Sequence, residues 1–294
     1  MSQKIKSHLF GFFAAFFFAW SFPLSRIALE QFSPYSFSFL RCLFASIVLL
    51  AIGKYNRIRL PFRAFDVSLF FFSGAMGFGV YLIILNIGLK TVSAATSSII
   101  ISTTPIMTAF AASFFYKEKI SAVGVASIIS AFVGVLIIIL WTGVFSFNAG
   151  IFWVAAAAVL FCGYNILNRR LAQKGYSSME IVTHSIFCGS LMLMFFLPQS
   201  YRELRQADTP HIAVLLFLSI FTTALGYFLF SKGIQIAEKT SDVTNYMFII
   251  PLFASILGYF ILDERLNTGT AIGGSIIAIS IIIFALKGRP KNRE

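Results

Sequence analysis

Two stretches of this 294-residue chain decide its architecture: STTPIMTAFAASFFYKEKISAVG (residues 102–124) and FIIPLFASILGYFILDERLNTGT (residues 248–270). Laid over one another at a shift of 146 residues, they bring Pro105 onto Pro251, Phe114 onto Phe260 and Glu118 onto Glu264. The echo extends outward to Tyr81 on Tyr227, Ile137 on Ile283 and Leu140 on Leu286. Apolar sequences match one another in bulk, so the weight rests on the proline and the glutamate. Both are scarce, with 8 Pro and 11 Asp plus Glu in the whole chain.

Composition sets the solvent. The chain is 58% hydrophobic and 12% charged, with mean hydropathy +0.87, whereas soluble domains average about 25% charged residues. It therefore reads as a polytopic membrane protein. A net charge of +12 and a pI near 9.8 do not make it a nucleic-acid binder, because the basic residues are spread over short loops. Cys42, Cys162 and Cys188 stand singly in apolar runs, with no spacing that suits a disulfide framework or a zinc site. No cofactor or metal is expected. The apolar run after Lys4 and Lys6 reaches Leu29, too long for a signal-peptide core of about 7–15 residues, and reads as a retained first span.

A helix needs about 20 mostly apolar residues to cross a bilayer. Charges and turn residues divide the chain into ten such spans: 9–29, 34–53, 65–89, 92–116, 121–141, 149–169, 180–198, 211–232, 240–262 and 268–286. Their length excludes barrel strands. The expected fold is an all-α bundle of ten transmembrane helices. Residues 1–141 form a first five-span repeat, 142–148 a short linker, and 149–294 a second repeat with a basic tail. The polar stretch 199–210 reads as a surface connection.

With a cytoplasmic N-terminus, only Arg26, Arg41, Lys90, Arg202, Arg205 and Arg265 of the 23 lysines and arginines fall outside. The bias predicts both termini in the cytoplasm, and the expected location is the inner membrane. Five is an odd number, so the second half enters the bilayer with the opposite sense. The expected architecture is an inverted-topology repeat, which secondary transporters use to place a substrate site where the halves meet.

The paired proline–glutamate segments, the opening span FFFAWSFPLSRIAL (residues 16–29) and the second span YSFSFLRCLFAS (residues 35–46) resemble the drug/metabolite transporter superfamily. More narrowly, they resemble its EamA-type ten-helix exporters. The resemblance covers nearly the whole chain. It implies export of amino acids or other metabolites, with nucleotide sugars and sugar phosphates carried by more distant kin. In the second half YMFIIP (residues 246–251) replaces a more typical small-and-polar run.

Several residues are candidates for the cavity or its movement. Trp20 reads either as helix packing or as a broad wall for an apolar substrate. Pro23, Pro105 and Pro251 each remove a helical hydrogen bond, and act either as static kinks or as hinges. Thr103 and Thr104 can satisfy a carbonyl freed by Pro105. Tyr81 and Tyr227, Ser97 and Ser98 facing Asn245 and Tyr246, and Tyr164 with Asn165 offer polar groups to a zwitterion or to neighbouring helices. Arg41 lies seven residues into its span. Snorkelling outward is the preferred account; recognition of a carboxylate, or a charge relay with Glu30, is the functional one. Glu118 and Glu264 each precede the next helix and read as helix-end structure. No carboxylate is expected at mid-depth, so proton coupling through one is not supported.

The sequence thus points to a secondary transporter that exports a small metabolite by alternating access. A multidrug or lipid exporter of the same fold is the alternative. A membrane enzyme is disfavoured by the lack of HExxH, GxSxG or paired membrane aspartates. The expected partners are a small-molecule substrate and lipid, with no nucleic acid; a monomer is expected and a dimer is the alternative.

Overall fold

The computed structural model describes residues 3–61, 63–117, 120–141, 149–236 and 245–287. Ten helical passes run through them. The first half supplies α1 (Gln3–Ala28), α2 (Pro34–Tyr55), α3 (Ala64–Leu89), α4 (Ala94–Phe115) and α5 (Ala122–Leu140). The second supplies α6 (Ala149–Gln173), α7 (Ser178–Gln206), α8 (residues 209–236), α9 (residues 245–262) and α10 (Thr268–Lys287). Seven of these, α1–α4 and α6–α8, are long and apolar enough to cross a membrane, and the other three contain shorter apolar helices. The chain is a multi-pass membrane protein.

Helix starts follow from local chemistry. Ser33, Ser93, Ser121, Ser177 and Asp208 each precede a helix and accept the backbone N–H three residues on, at 3.0–3.3 Å. Such caps satisfy donors that have no partner within the helix and contribute about 1 kcal/mol each. At Ser177 the cap is reciprocal, since Glu180 accepts the Ser177 N–H at 2.7 Å.

The halves interlock. α1 packs on α8 and α9, α2 on α7 and α8, α3 on α6 and α7, α4 on α6 and α9, and α5 on α10. Each contact joins one half to the other, and one apolar core runs through α1–α4 and α6–α9. The end with residues 3 and 287, here the terminal end, also carries the α2–α3, α4–α5 and α6–α7 connections. The opposite, far end carries the α1–α2, α3–α4, α7–α8 and α9–α10 connections.

The pseudosymmetry reaches the irregularities of the helices. α3 is interrupted by a π turn over Ala75–Gly79, and α8 by one over Leu218–Gly226; the 146-residue shift carries the first into the second. α4 breaks at Ser102 and Thr103, one turn before Pro105 can resume it. α9 begins as a 3-10 stretch, Asn245–Ile249, and becomes α-helical one residue before Pro251. Both prolines therefore occupy a first turn, where a missing N–H costs little. The freed groups are satisfied as expected: Thr104 Oγ1 donates to the Ile101 carbonyl at 2.6 Å, and Thr103 Oγ1 to that of Ile100 at 2.7 Å.

One expectation is overturned. Residues 199–206 are helical, because α7 continues through a 3-10 turn at Leu193–Phe196 and on to Gln206. The stretch is polar because it is amphipathic: Gln199 and Glu203 turn toward the α1–α2 connection, where Gln199 donates to Ser33 Oγ at 3.0 Å and Glu203 accepts the Ser33 N–H at 2.8 Å. Pro198 sits in the first turn of this segment. The linker 142–148 lies outside the described residues.

The α5–α10 pair rests on bare backbone. A Cβ on Gly273 would stand 2.6 Å from the Gly134 carbonyl oxygen, and one on Gly134 would stand 2.8 Å from that of Gly273. Gly273→Leu is expected to lower the melting temperature of the purified protein, with a destabilisation of about 1–3 kcal/mol from overpacking. The same substitution at exposed Ile279 should leave it unchanged.

Candidate functional site

The polar centre of the bundle is Arg41. It lies on α2 with 4% of its surface exposed, so it does not snorkel. Its Nε donates to Thr223 Oγ1 at 2.8 Å, one terminal nitrogen to Ser21 Oγ at 2.9 Å, and the other to Ser25 Oγ at 3.4 Å. All three acceptors are neutral hydroxyls. Two come from α1 in the first half, and Thr223 comes from the π turn of α8 in the second. Among the described residues no carboxylate pairs with Arg41. The expected relay with Glu30 does not form, because that carboxylate is 65% exposed and faces His211 at 3.5 Å. A cation inside the bilayer without an anionic partner costs up to about 2.5–3.5 kcal/mol on insertion scales, and hydroxyl dipoles offset only part of that.

Aromatic rings enclose this centre. Tyr81 and Tyr227 lie within electrostatic range of the guanidinium. Phe78 joins Tyr227 and Tyr164, with ring centroids 5.1 and 5.2 Å away. Phe161 links Tyr81 to Tyr164 at 5.0 and 5.3 Å. Three sequence candidates, Tyr81, Tyr164 and Tyr227, thus come together at one place. The π turn of α3 makes the approach possible: a Cβ on Gly77 would fall 2.3 Å from the Tyr164 ring.

Two buried hydroxyls of the central helices, Ser97 Oγ on α4 and Thr222 Oγ1 on α8, have no hydrogen-bond partner among the described residues. Ser98, the sequence candidate, instead bonds its own helix through the Ala95 carbonyl at 2.8 Å. Buried hydroxyls without a partner cost about 1–3 kcal/mol each.

The sequence of this arrangement matches a known family. The pattern of the EamA-like transporter family fits residues 5–140 and again 148–286. The chain belongs to the EamA-like transporter family. It is 28% identical over 274 residues to an uncharacterized transporter of Bacillus subtilis (strain 168), covering 93% of this chain and 89% of that protein. It is 24% identical over 275 residues to a probable terminal-alkyne amino-acid exporter of Streptantibioticus cattleyicolor, covering 93% and 91%. A crystal structure of a protein 15% identical to it superposes with TM-score 0.66 over 97% of this chain and 99% of that one, which is a likeness of fold. Membership places the chain among transporters and not among enzymes.

Other candidates occupy different parts of this EamA-like bundle. Trp20 lies with Phe16, Phe17, Leu24 and Phe217 in an apolar groove of about 460 Å³ between α1 and α8. Its Nε1 is buried and has no partner among the described residues. Asn165 donates to Thr108 Oγ1 at 3.2 Å and ties α6 to α4. The Tyr246 hydroxyl lies 3.3 Å from His8 Nδ1 near the start of α1, so it does not join Ser97 and Ser98. Pro23 is buried within a continuous α1. Glu118 and the side chain of Asn245 lie outside the described residues.

Glu264 holds a helix end, though not the one expected. α10 is capped by Asn267, which accepts the Thr270 N–H at 2.6 Å. Glu264 reaches back to the first half, where it accepts the Ala94 N–H at the start of α4 at 2.8 Å and pairs with Arg26 on α1. The far end is tied again through Gln31, which donates to Asp208 Oδ2 at 2.8 Å and accepts the Asp208 N–H at 2.9 Å.

Asp208 caps α8, and the hydrogen bond from the His211 amide, aided by its ring, holds this carboxyl below its usual range. A lowered pKa contributes stability above the unfolded value, about 3.9, which is lost as pH falls through the folded one. Asp208→Asn keeps a cap of similar strength. It should remove this part of the acid dependence of thermal stability between about pH 5 and pH 3; an unchanged pH profile would contradict the assignment.

Proposed function

We propose that the chain exports a small metabolite, amino acids or related compounds foremost, across the inner membrane by alternating access. The observation that carries this is the placement of the helix irregularities. Two π turns and two proline breaks are paired by pseudosymmetry, and both π turns touch the buried polar and aromatic centre, through Thr223 on Arg41 and Gly77 against Tyr164. Helices bend where their ladder is already broken, so α3 and α4 can open against α8 and α9 at either end in turn. Pro105 and Pro251 are the hinges, and Tyr81, Tyr164 and Tyr227 line the path. The relative described as a probable amino-acid exporter supports the substrate class. The excess of basic residues at the terminal end supports cytoplasmic termini.

The apolar groove beside Trp20 favours a second reading, export of hydrophobic drugs or lipids entering from the side. An export assay separates the two. Cells overexpressing the chain and loaded with labelled amino acids should release them faster than a vector control. If only hydrophobic dyes leave faster, the metabolite reading fails.

A further inference from the structure

We propose that Arg41 is the carboxylate-binding group of the carrier, and that a substrate needs a carboxylate there but no ammonium. This rests on the transport reading above and names the chemistry of its site. A guanidinium carries five N–H donors in a planar fork that fits a carboxylate through two parallel hydrogen bonds. Arg41 has three hydroxyl acceptors among the described residues, one of them at a loose 3.4 Å. These hydroxyls satisfy donors without neutralising the charge. A buried cation held only by neutral dipoles gains when an anion arrives.

Position agrees with chemistry. Arg41 stands on α2 and reaches across the boundary between the halves, from Ser21 and Ser25 to Thr223. A substrate anion that displaces the Thr223 contact would loosen the tie between α2 and the π turn of α8, and would itself join the two. The unpartnered Thr222 hydroxyl lies one residue from that contact. Tyr81 and Tyr227, within electrostatic range of Arg41, add aromatic surface that suits an apolar substrate body. Nothing acidic lies at this centre among the described residues to fix an ammonium, and Arg41 repels one.

The test compares acids with their own amides on the purified full-length protein. The probes are phenylalanine and phenylalaninamide, 3-phenylpropionate and 3-phenylpropionamide, and leucine and leucinamide. Each acid should bind at least about ten-fold more tightly than its amide, as expected for loss of a charged hydrogen-bonded pair. Phenylpropionate, which has no ammonium, should keep that preference. Arg41→Gln, which still donates to hydroxyls, should bind acid and amide alike, and Arg41→Lys should retain part of the difference. Equal binding of acid and amide by the natural protein, binding of none of the acids, or an undiminished acid preference in folded Arg41→Gln would each overturn the proposal. The natural-protein comparison stands even where a variant does not fold. Proteoliposomes separate the two levels. Transport of amides or dyes without acid preference would overturn the role of Arg41 and leave the carrier standing. Acid-selective binding with no transport of any probe would do the reverse.

Discussion

Replacing Pro105 and Pro251 together with alanine is expected to reduce transport by about ten-fold or more while leaving the melting temperature unchanged or raised. Each proline sits where its helix resumes after a break, and its ring keeps the preceding turn from closing onto it. Alanine restores an N–H to the Ile101 carbonyl and its pseudosymmetric counterpart and lets the helix run straight. That change stabilises the static structure, since alanine is the better helix former by about 3 kcal/mol in an interior. Less is expected here, because a first turn tolerates proline. Motion is what is lost. A structural role alone gives the opposite pattern, with stability reduced and the rate per folded protein unchanged. Single replacements should fall between, and proteoliposome transport set beside a thermal melt of each variant tells the cases apart.

Removing Glu264 is expected to lower stability substantially. Its carboxylate is 10% exposed and serves two partners from the first half, Arg26 and the Ala94 N–H. Glu264→Ala leaves Arg26 without its acceptor and one N–H of the first turn of α4 unsatisfied. The expected loss is about 2 kcal/mol: losing one partner of a buried pair costs about 3–5 kcal/mol, and the 31% exposure of the Arg26 side chain reduces that by solvation. Glu264→Gln should recover part of the loss, because an amide oxygen still accepts from Ala94. Arg26→Ala should be milder, because the positive end of α4 still faces the carboxylate. Exchanging the two charges should not restore stability, since an arginine cannot accept from Ala94. Thermal melts of the four variants check the order; equal losses in Arg26→Ala and Glu264→Ala would show that the ion pair alone matters.

These expectations mark what the sequence could and could not disclose. Span limits were legible wherever a long apolar run ended at a charge: 65–89 in the sequence became Ala64–Leu89 in the structure. The paired prolines were legible because proline has one backbone effect wherever it stands. Residues 199–206 were not, since a short amphipathic helix and a polar loop have similar composition. Depth along a span also says nothing about facing. A shallow position alone predicts that Arg41 snorkels, yet its helix turns it into the core. Its hydroxyl partners left one faint sign, Ser21 and Ser25 four residues apart on a single face of α1. Its position just before α10 makes Glu264 look like an end group of that helix, whereas its carboxylate reaches the start of α4 in the other half, a contact that only the three-dimensional packing reveals.

The central claim is that α3 and α4 open against α8 and α9 at these breaks, one end opening as the other closes. Distances between spin labels at both ends test it most directly. One pair joins Phe115 to Lys232 at the terminal end and the other Lys90 to Thr209 at the far end, all exposed positions. Each pair should show two distance populations, long at one end when short at the other. Transported solute should shift both in opposite senses, and the double proline variant should collapse each to one. A single unchanging distance at both ends, in protein that is actively transporting, would contradict the account.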